Sequence, residues 1–124
     1  MLALPRNVAE ELSQRGVTVP NPITGLALID TGASLTAIDE TAAKNMNLPI
    51  IDVATIASAT DAGIKANVYP AQLQIAGAPI EITVGRALGA MLEPQGLLAL
   101  LGRDFLQHLT MFYNGPRGQL TISV

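Results

Sequence analysis

Three observations predict a mostly β domain. The apolar segments are short and bounded by Gly, Pro or Asn, and Ile80 to Val84 alternates cleanly at a period of two. Helical spacing is confined to a few short stretches. The implied count is roughly seven or eight strands with two or three short helices, which suits a closed or folded-over sheet. The 124 residues suffice for one domain, 1–124, with a real core, and not for two.

Taken in order, Val8 to Arg15 reads as one or two helical turns ended by Gly16. Val17 to Val19 is β-branched, and Pro20-Asn21-Pro22 is a turn. Ile23 to Asp30 reads as a buried strand because its apolar run is nearly continuous. Asp39 is placed to cap a short helix running to Asn45 or Met46, with Glu40 and Lys44 one turn apart. Asn47 and Leu48-Pro49 stop that helix. Strands follow over Ile51 to Ala57 and Ala66 to Ala76, around a small polar tip in which Gly63 can take a positive φ. Gly77-Ala78-Pro79 turns the chain into Ile80 to Val84, and Arg86 to Gln95 reads as loop. Leu97 to Leu101 is a short apolar strand ended by Gly102, and Asp104 to Leu109 is a helix. A last hairpin has arms Thr110 to Asn114 and Gln119 to Val124.

Composition excludes several function classes. The net charge is −3 and the seven basic residues are scattered, which argues against a nucleic-acid surface. With no cysteine there is neither a disulfide nor a thiolate metal site. One histidine, His108, makes a histidine metal cluster or a Ser-His triad improbable; it reads as an exposed residue on a short helix. No metal or cofactor is expected. No apolar run approaches the ~18 residues of a membrane span, and MLALPRNVAEEL lacks the basic and long apolar regions of a signal peptide. The expectation is a cytoplasmic chain or a soluble domain of a longer protein.

The segment ALIDTGAS, Ala27 to Ser34, carries the chemical signal. A hydrophobic strand runs into Asp30 and turns at once through Thr31 and Gly32, although burying a charge is costly unless it is paired, bonded or neutralised. The segment LLGRDFL follows, its Gly102 lying 72 residues (102 minus 30) beyond Asp30. Together these segments resemble the retropepsin-like aspartic proteases, single-domain relatives of the retroviral enzymes, over most of the chain from Ile23 to Val124. The resemblance implies a retropepsin-like acid-protease fold with a flap hairpin and one or two short helices. It also implies an aspartic endopeptidase in which two carboxylates share one proton and activate water. Only one Asp-Thr-Gly is present, and the nearest imitation, Asp61-Ala62-Gly63, has no apolar strand before it. The second carboxylate is therefore expected from a second copy, with Asp30 of each chain at a two-fold axis.

By that resemblance Asp30 is catalytic, and Thr31, Gly32, Ala33 and Gly102 support its loop. Ala59 to Lys65 corresponds to the flap, with Gly63 as pivot, and Ile64, Leu97 and Leu100 are candidate walls for an extended peptide or protein substrate. Ala33 matches the retropepsin form of the loop. Ser34 departs from it: retroviral members usually carry Asp there, paired with the arginine that Arg103 matches, so Arg103 must pair elsewhere or face water. The segments MLALP and QLTISV are expected in an intersubunit sheet. The alternative reading is a non-catalytic dimeric peptide-binding module of the same fold. A metal-phosphate enzyme is disfavoured because no glycine-rich phosphate loop is present.

Overall fold

The computed structural model describes residues 1–56 and 63–124. Strand dominates, and a curled seven-stranded sheet holds most of it, with the order β1-β5-β6-β3-β7-β2 and β4 paired to β5. The strands are β1 (Leu2–Ala3), β2 (Ala27–Ile29), β3 (Ala37–Asp39), β4 (Asp52–Ile56), β5 (Ile64–Ile75), β6 (Ile80–Ala90) and β7 (Ala99–Leu101). The last two, β8 (Thr110–Asn114) and β9 (Gln119–Ser123), form a separate hairpin. Helices α1 (Arg6–Gln14), α2 (Glu40–Asn45) and α3 (Arg103–Leu106) lie against the sheet. The core is aliphatic around two aromatics, Tyr69 and Phe105, with Leu2, Ile38 and Met46 fully buried beside them.

Local chemistry explains the element ends. Asp39 leaves β3 and caps α2, its carboxylate accepting the Ala42 N–H at 3.0 Å. The same carboxylate accepts the N–H groups of Leu92 at 3.1 Å and Glu93 at 2.9 Å, so one buried acid ties three segments together. The long strand β5 is broken in register between Tyr69 and Ala71, where Pro70 has no N–H to give to the ladder.

Four sequence expectations need correction. First, Ile23 to Asp30 is not a buried strand. Only Ala27–Ile29 forms a ladder, along one edge, Ile23 makes a single bridge to Leu2, and Leu26 and Leu28 are 72% and 51% exposed. An apolar run looks the same in sequence whether a core or another surface covers it. Second, Arg86 to Gln95 is not a loop: β6 continues to Ala90 and a short 3-10 turn follows over Glu93–Gln95. Gly89 is no breaker there, because a side chain on it would collide with the Glu40 carboxylate that packs across β6. Third, helix α3 stops at Leu106, and His108 sits exposed in the turn beyond it. Fourth, MLALP is not free for an intersubunit sheet. Leu2 and Ala3 pair with Leu73 and Gln72 of β5, and Leu2 also bridges Ile23.

Candidate functional site

The 30–36 loop is built over the end of β7. Strand β2 runs parallel to β7 on one side, and β3 runs antiparallel to it on the other. The chain leaving β2 must therefore arch across the C-terminal end of β7 to enter β3. Gly102 stands at that end, and a Cβ there would lie 2.6 Å from the Leu35 carbonyl carbon and oxygen and 2.9 Å from the Thr36 nitrogen. Real Cβ atoms do not approach backbone so closely, so the crossing requires glycine.

Hydrogen bonds lace the loop to this corner. The Asp30 N–H donates to the Leu101 carbonyl at 3.0 Å, and the Arg103 N–H donates to the Ala33 carbonyl at 2.9 Å. The Gly102 N–H donates to Thr36 Oγ1 at 3.1 Å. That hydroxyl donates onward to Asp104 Oδ1 at 2.6 Å, and the same oxygen accepts the Thr36 N–H at 3.0 Å. Thr36 is fully buried, so each of these bonds replaces water that cannot reach it. The Arg103 guanidinium donates to the Thr31 carbonyl at 2.9 Å. Arg103 thus neither needs an acid at position 34 nor faces water alone.

Asp30 itself is half-buried at the tip of β2. Its Oδ1 accepts the Gly32 N–H at 3.0 Å, and the Ala33 N–H closes the turn on the Asp30 carbonyl at 3.2 Å. A Cβ on Gly32 would sit 3.2 Å from that carboxylate oxygen, so glycine here permits the tight turn around the acid. Thr31 and Gly32 are exposed, and Ala33 is half-buried.

The register supplies a floor beside Asp30. Leu28 is opposite Leu100, Leu100 opposite Ala37, and Ala37 opposite Leu88, so these four side chains share one face across four strands. The alternate row, Ile29 with Leu101 and Ala99 with Ile38, points into the core. Leu28 is exposed and the other three in the first row are half-buried, which leaves an open apolar strip leading to the acid. Val68 pairs with Leu88, and Ile64 is on the same face of β5 four residues earlier. Ile64, exposed and opposite Ile56, stands on the stem of the β4–β5 hairpin. Gly63 has φ +146°, a conformation that side chains oppose. The predicted flap residues Ala59 to Ala62 lie outside the described residues, as do Asp61 and Ala62 of the Asp-Ala-Gly imitation.

Of the sequence-predicted site residues, the fold brings Asp30, Thr31, Gly32, Ala33 and Gly102 into one corner, with Leu100 and Ile64 on the adjoining face. Leu97 precedes β7, half-buried, and is not on the apolar row. Sequence reasoning missed Leu28, Ala37 and Leu88 on that row, and Thr36 and Asp104 beneath the loop. An inward cavity of about 340 Å³, lined by Ile29, Leu101, Phe105 and Ile122, lies behind the strip and does not include Asp30. Among the described residues no cluster of His, Cys, Asp or Glu could hold a metal ion, and no helix is long and apolar enough to cross a membrane.

A family model described as "gag-polyprotein putative aspartyl protease" matches residues 17–108. The match takes in the 30–36 loop, the β4–β5 hairpin and α3, and leaves out β1, α1 and the β8–β9 hairpin. No curated relative and no solved structure matches the chain significantly.

Proposed function

Since the chain belongs to this retroviral-type aspartyl protease family, we propose that it is an aspartic endopeptidase whose catalytic acid is Asp30. The observation that carries this reading is the placement of Asp30. It is a half-exposed carboxylate at the end of an apolar strand, held by a backbone N–H and flanked by an open apolar strip.

One chain supplies one such carboxylate, and the chemistry needs two. In a symmetric dimer the two Asp30 side chains meet across the axis, where like charges at close range favour a state with one proton between them. The ionised carboxylate takes a proton from a bound water, whose oxygen attacks the peptide carbonyl. The protonated carboxyl donates to the carbonyl oxygen as the tetrahedral intermediate forms. The laced loop supports this by fixing each acid in position before substrate arrives. An extended peptide would lie along the strip of Leu28, Leu100, Ala37 and Leu88, its apolar side chains against those walls and Ile64 above them.

The test is Asp30→Asn, which keeps the size and the Gly32 hydrogen bond but cannot act as a base. The expected result is loss of cleavage of an extended peptide library, with circular dichroism and sedimentation unchanged. Cleavage at the wild-type rate in this variant would remove Asp30 from the mechanism.

A further inference from the structure

We propose that Glu40, through its bond to Asn67, braces the β4–β5 hairpin and so sets how tightly an extended peptide is held over the apolar strip. The inference rests on the endopeptidase reading above and names a positioning residue for it.

The hairpin leaves the sheet early. Strands β5 and β6 pair from Ile75 and Ile80 as far as Val68 and Leu88. Past that point β6 turns to β3, with Gly89 opposite Ile38 and Ala90 opposite Asp39. Ile64 to Asn67 pair with β4, and β4 has no other partner strand. A two-stranded ribbon is marginal on its own, so this stem needs a hold on the body. A cleft of about 520 Å³ opens where the strands part, with Ile64 and Asn67 on one side and Gly89 and Met91 on the other.

Glu40 bridges that gap. Its Oε1 accepts Asn67 Nδ2 at 2.8 Å and the Tyr69 hydroxyl at 2.7 Å. Tyr69 lies where β5 is still paired, opposite Ala87, whereas Asn67 lies beyond the last pair. Among the described residues, Asn67 makes the one side-chain hydrogen bond that ties the stem beyond Val68 to the rest of the chain. The bond from Arg86 to Asp52 is at the base, because Asp52 is opposite Val68. The anchor is firm: Glu40 opens α2 directly after Asp39, whose carboxylate holds three backbone N–H groups.

Two features argue that this acid is not kept for stability. Its Oε2 is buried with no partner among the described residues, which is costly for a carboxylate oxygen. Gly89 also interrupts β6, where glycine weakens a strand, and a side chain there would collide with that same oxygen. What the arrangement secures is the stem. By strand alternation Asn67 and Tyr69 face the brace, while Ile64 and Val68 face the side of Leu88 and the strip. The brace therefore fixes the height of Ile64 above the strip without touching the peptide or Asp30. A wall held in place before substrate arrives leaves less to be ordered on binding.

The experiment compares Asn67→Ala and Tyr69→Phe, which each remove one donor from the same oxygen, with Asn67→Gln, which keeps an amide donor. Affinity for fluorescent peptides of the library is measured by anisotropy in the Asp30→Asn background, so that binding is read without cleavage. Asn67→Ala is expected to weaken binding about tenfold through lost preorganisation, with Asn67→Gln recovering most of it and Tyr69→Phe staying near its parent. In the chain that retains Asp30, the same loss should raise KM with kcat within about twofold, since the Asp30 loop has its own supports. Amide exchange over 52–56 and 64–67 should quicken in Asn67→Ala and not in Tyr69→Phe. Parent-like affinity or parent-like exchange in Asn67→Ala overturns the proposal, as does an equal loss of affinity in Tyr69→Phe or a parent that binds no peptide. Cleavage that survives Asp30→Asn sinks the active-site assignment, whereas unchanged affinity in Asn67→Ala sinks only the brace.

Discussion

Gly102→Ala is the sharpest perturbation of the candidate site, because one methyl group is added where backbone crosses backbone. The new Cβ would stand 2.6 Å from the carbonyl of Leu35 and 2.9 Å from the nitrogen of Thr36, so the loop or β7 must move. Overpacking of a tight interior costs about 1–3 kcal/mol. The movement also strains the Gly102 N–H bond to Thr36 Oγ1, a buried donor whose loss costs roughly 1 kcal/mol. The expected destabilisation is about 2–4 kcal/mol, or a fall in melting temperature of roughly 8–16 °C for a domain of this size. Activity should fall further than stability, since displacing a reacting group by about 1 Å can cost on the order of 100-fold.

Thermal denaturation and peptide cleavage, both on Gly102→Ala and Gly85→Ala, make the assay. Gly85 lies in β6 with nothing within 4 Å of the position a Cβ would take. Its replacement should leave the melting temperature unchanged or raise it slightly, because alanine restricts the unfolded chain. A Gly102→Ala variant that melts and cleaves like Gly85→Ala would refute the argument that the crossing requires glycine.

Other variants probe the supports of the loop and the buried polar groups of the core. Thr36→Val removes the buried hydroxyl that joins Gly102 to Asp104 and should cost about 2–3 kcal/mol by urea unfolding, while Thr36→Ser stays near wild type. Asp39→Ala strands three N–H groups at once and should lower stability by about 3 kcal/mol, again read as a lower urea midpoint. Burial, then the hydrogen bond to Glu40, pushes the Tyr69 phenol up to about 12 from its ordinary 10. Its contribution to stability should be complete below pH 10 and lost as pH rises toward 12. Urea midpoints across that window should fall more steeply for wild type than for Tyr69→Phe.

What was legible in the sequence was local or punctuated by glycine. Asp39 could be read as a helix cap because the capped N–H lies three residues on, and Gly102 could be paired with Asp30 because the two segments together resemble the retropepsin-like proteases. The apolar strip was not legible, since it depends on Leu28 lying opposite Leu100 and on β3 inserting beside β7. That register is set by residues far apart in the chain, and one step of slip would turn Leu28 inward and Ile29 outward. Thr36 carried no signal in the sequence because its partner, Asp104, is 68 positions away. Exposure was hidden for a different reason. Leu26, Leu28, Tyr113 and Leu120 have core chemistry, and only the fold reveals that their own chain does not cover them.

The altered partner of Arg103 bears on how such a dimer would assemble. Where the resemblance leads one to expect an acid, the chain has Ser34, and the guanidinium bonds the Thr31 carbonyl instead. The backbone N–H of the same arginine holds the Ala33 carbonyl, so one residue grips the loop on both sides of Gly32. With Leu101, Gly102 and Asp104 also bonding to the loop, contacts within one chain already hold the turn around Asp30. On the dimeric reading, association would then have little loop entropy to overcome, and the energy of the contact between copies would go into holding two finished halves together. A dimer built this way can be weak and still competent. On that reading, the concentration at which activity appears would report the strength of the contact between copies, not the folding of the catalytic loop.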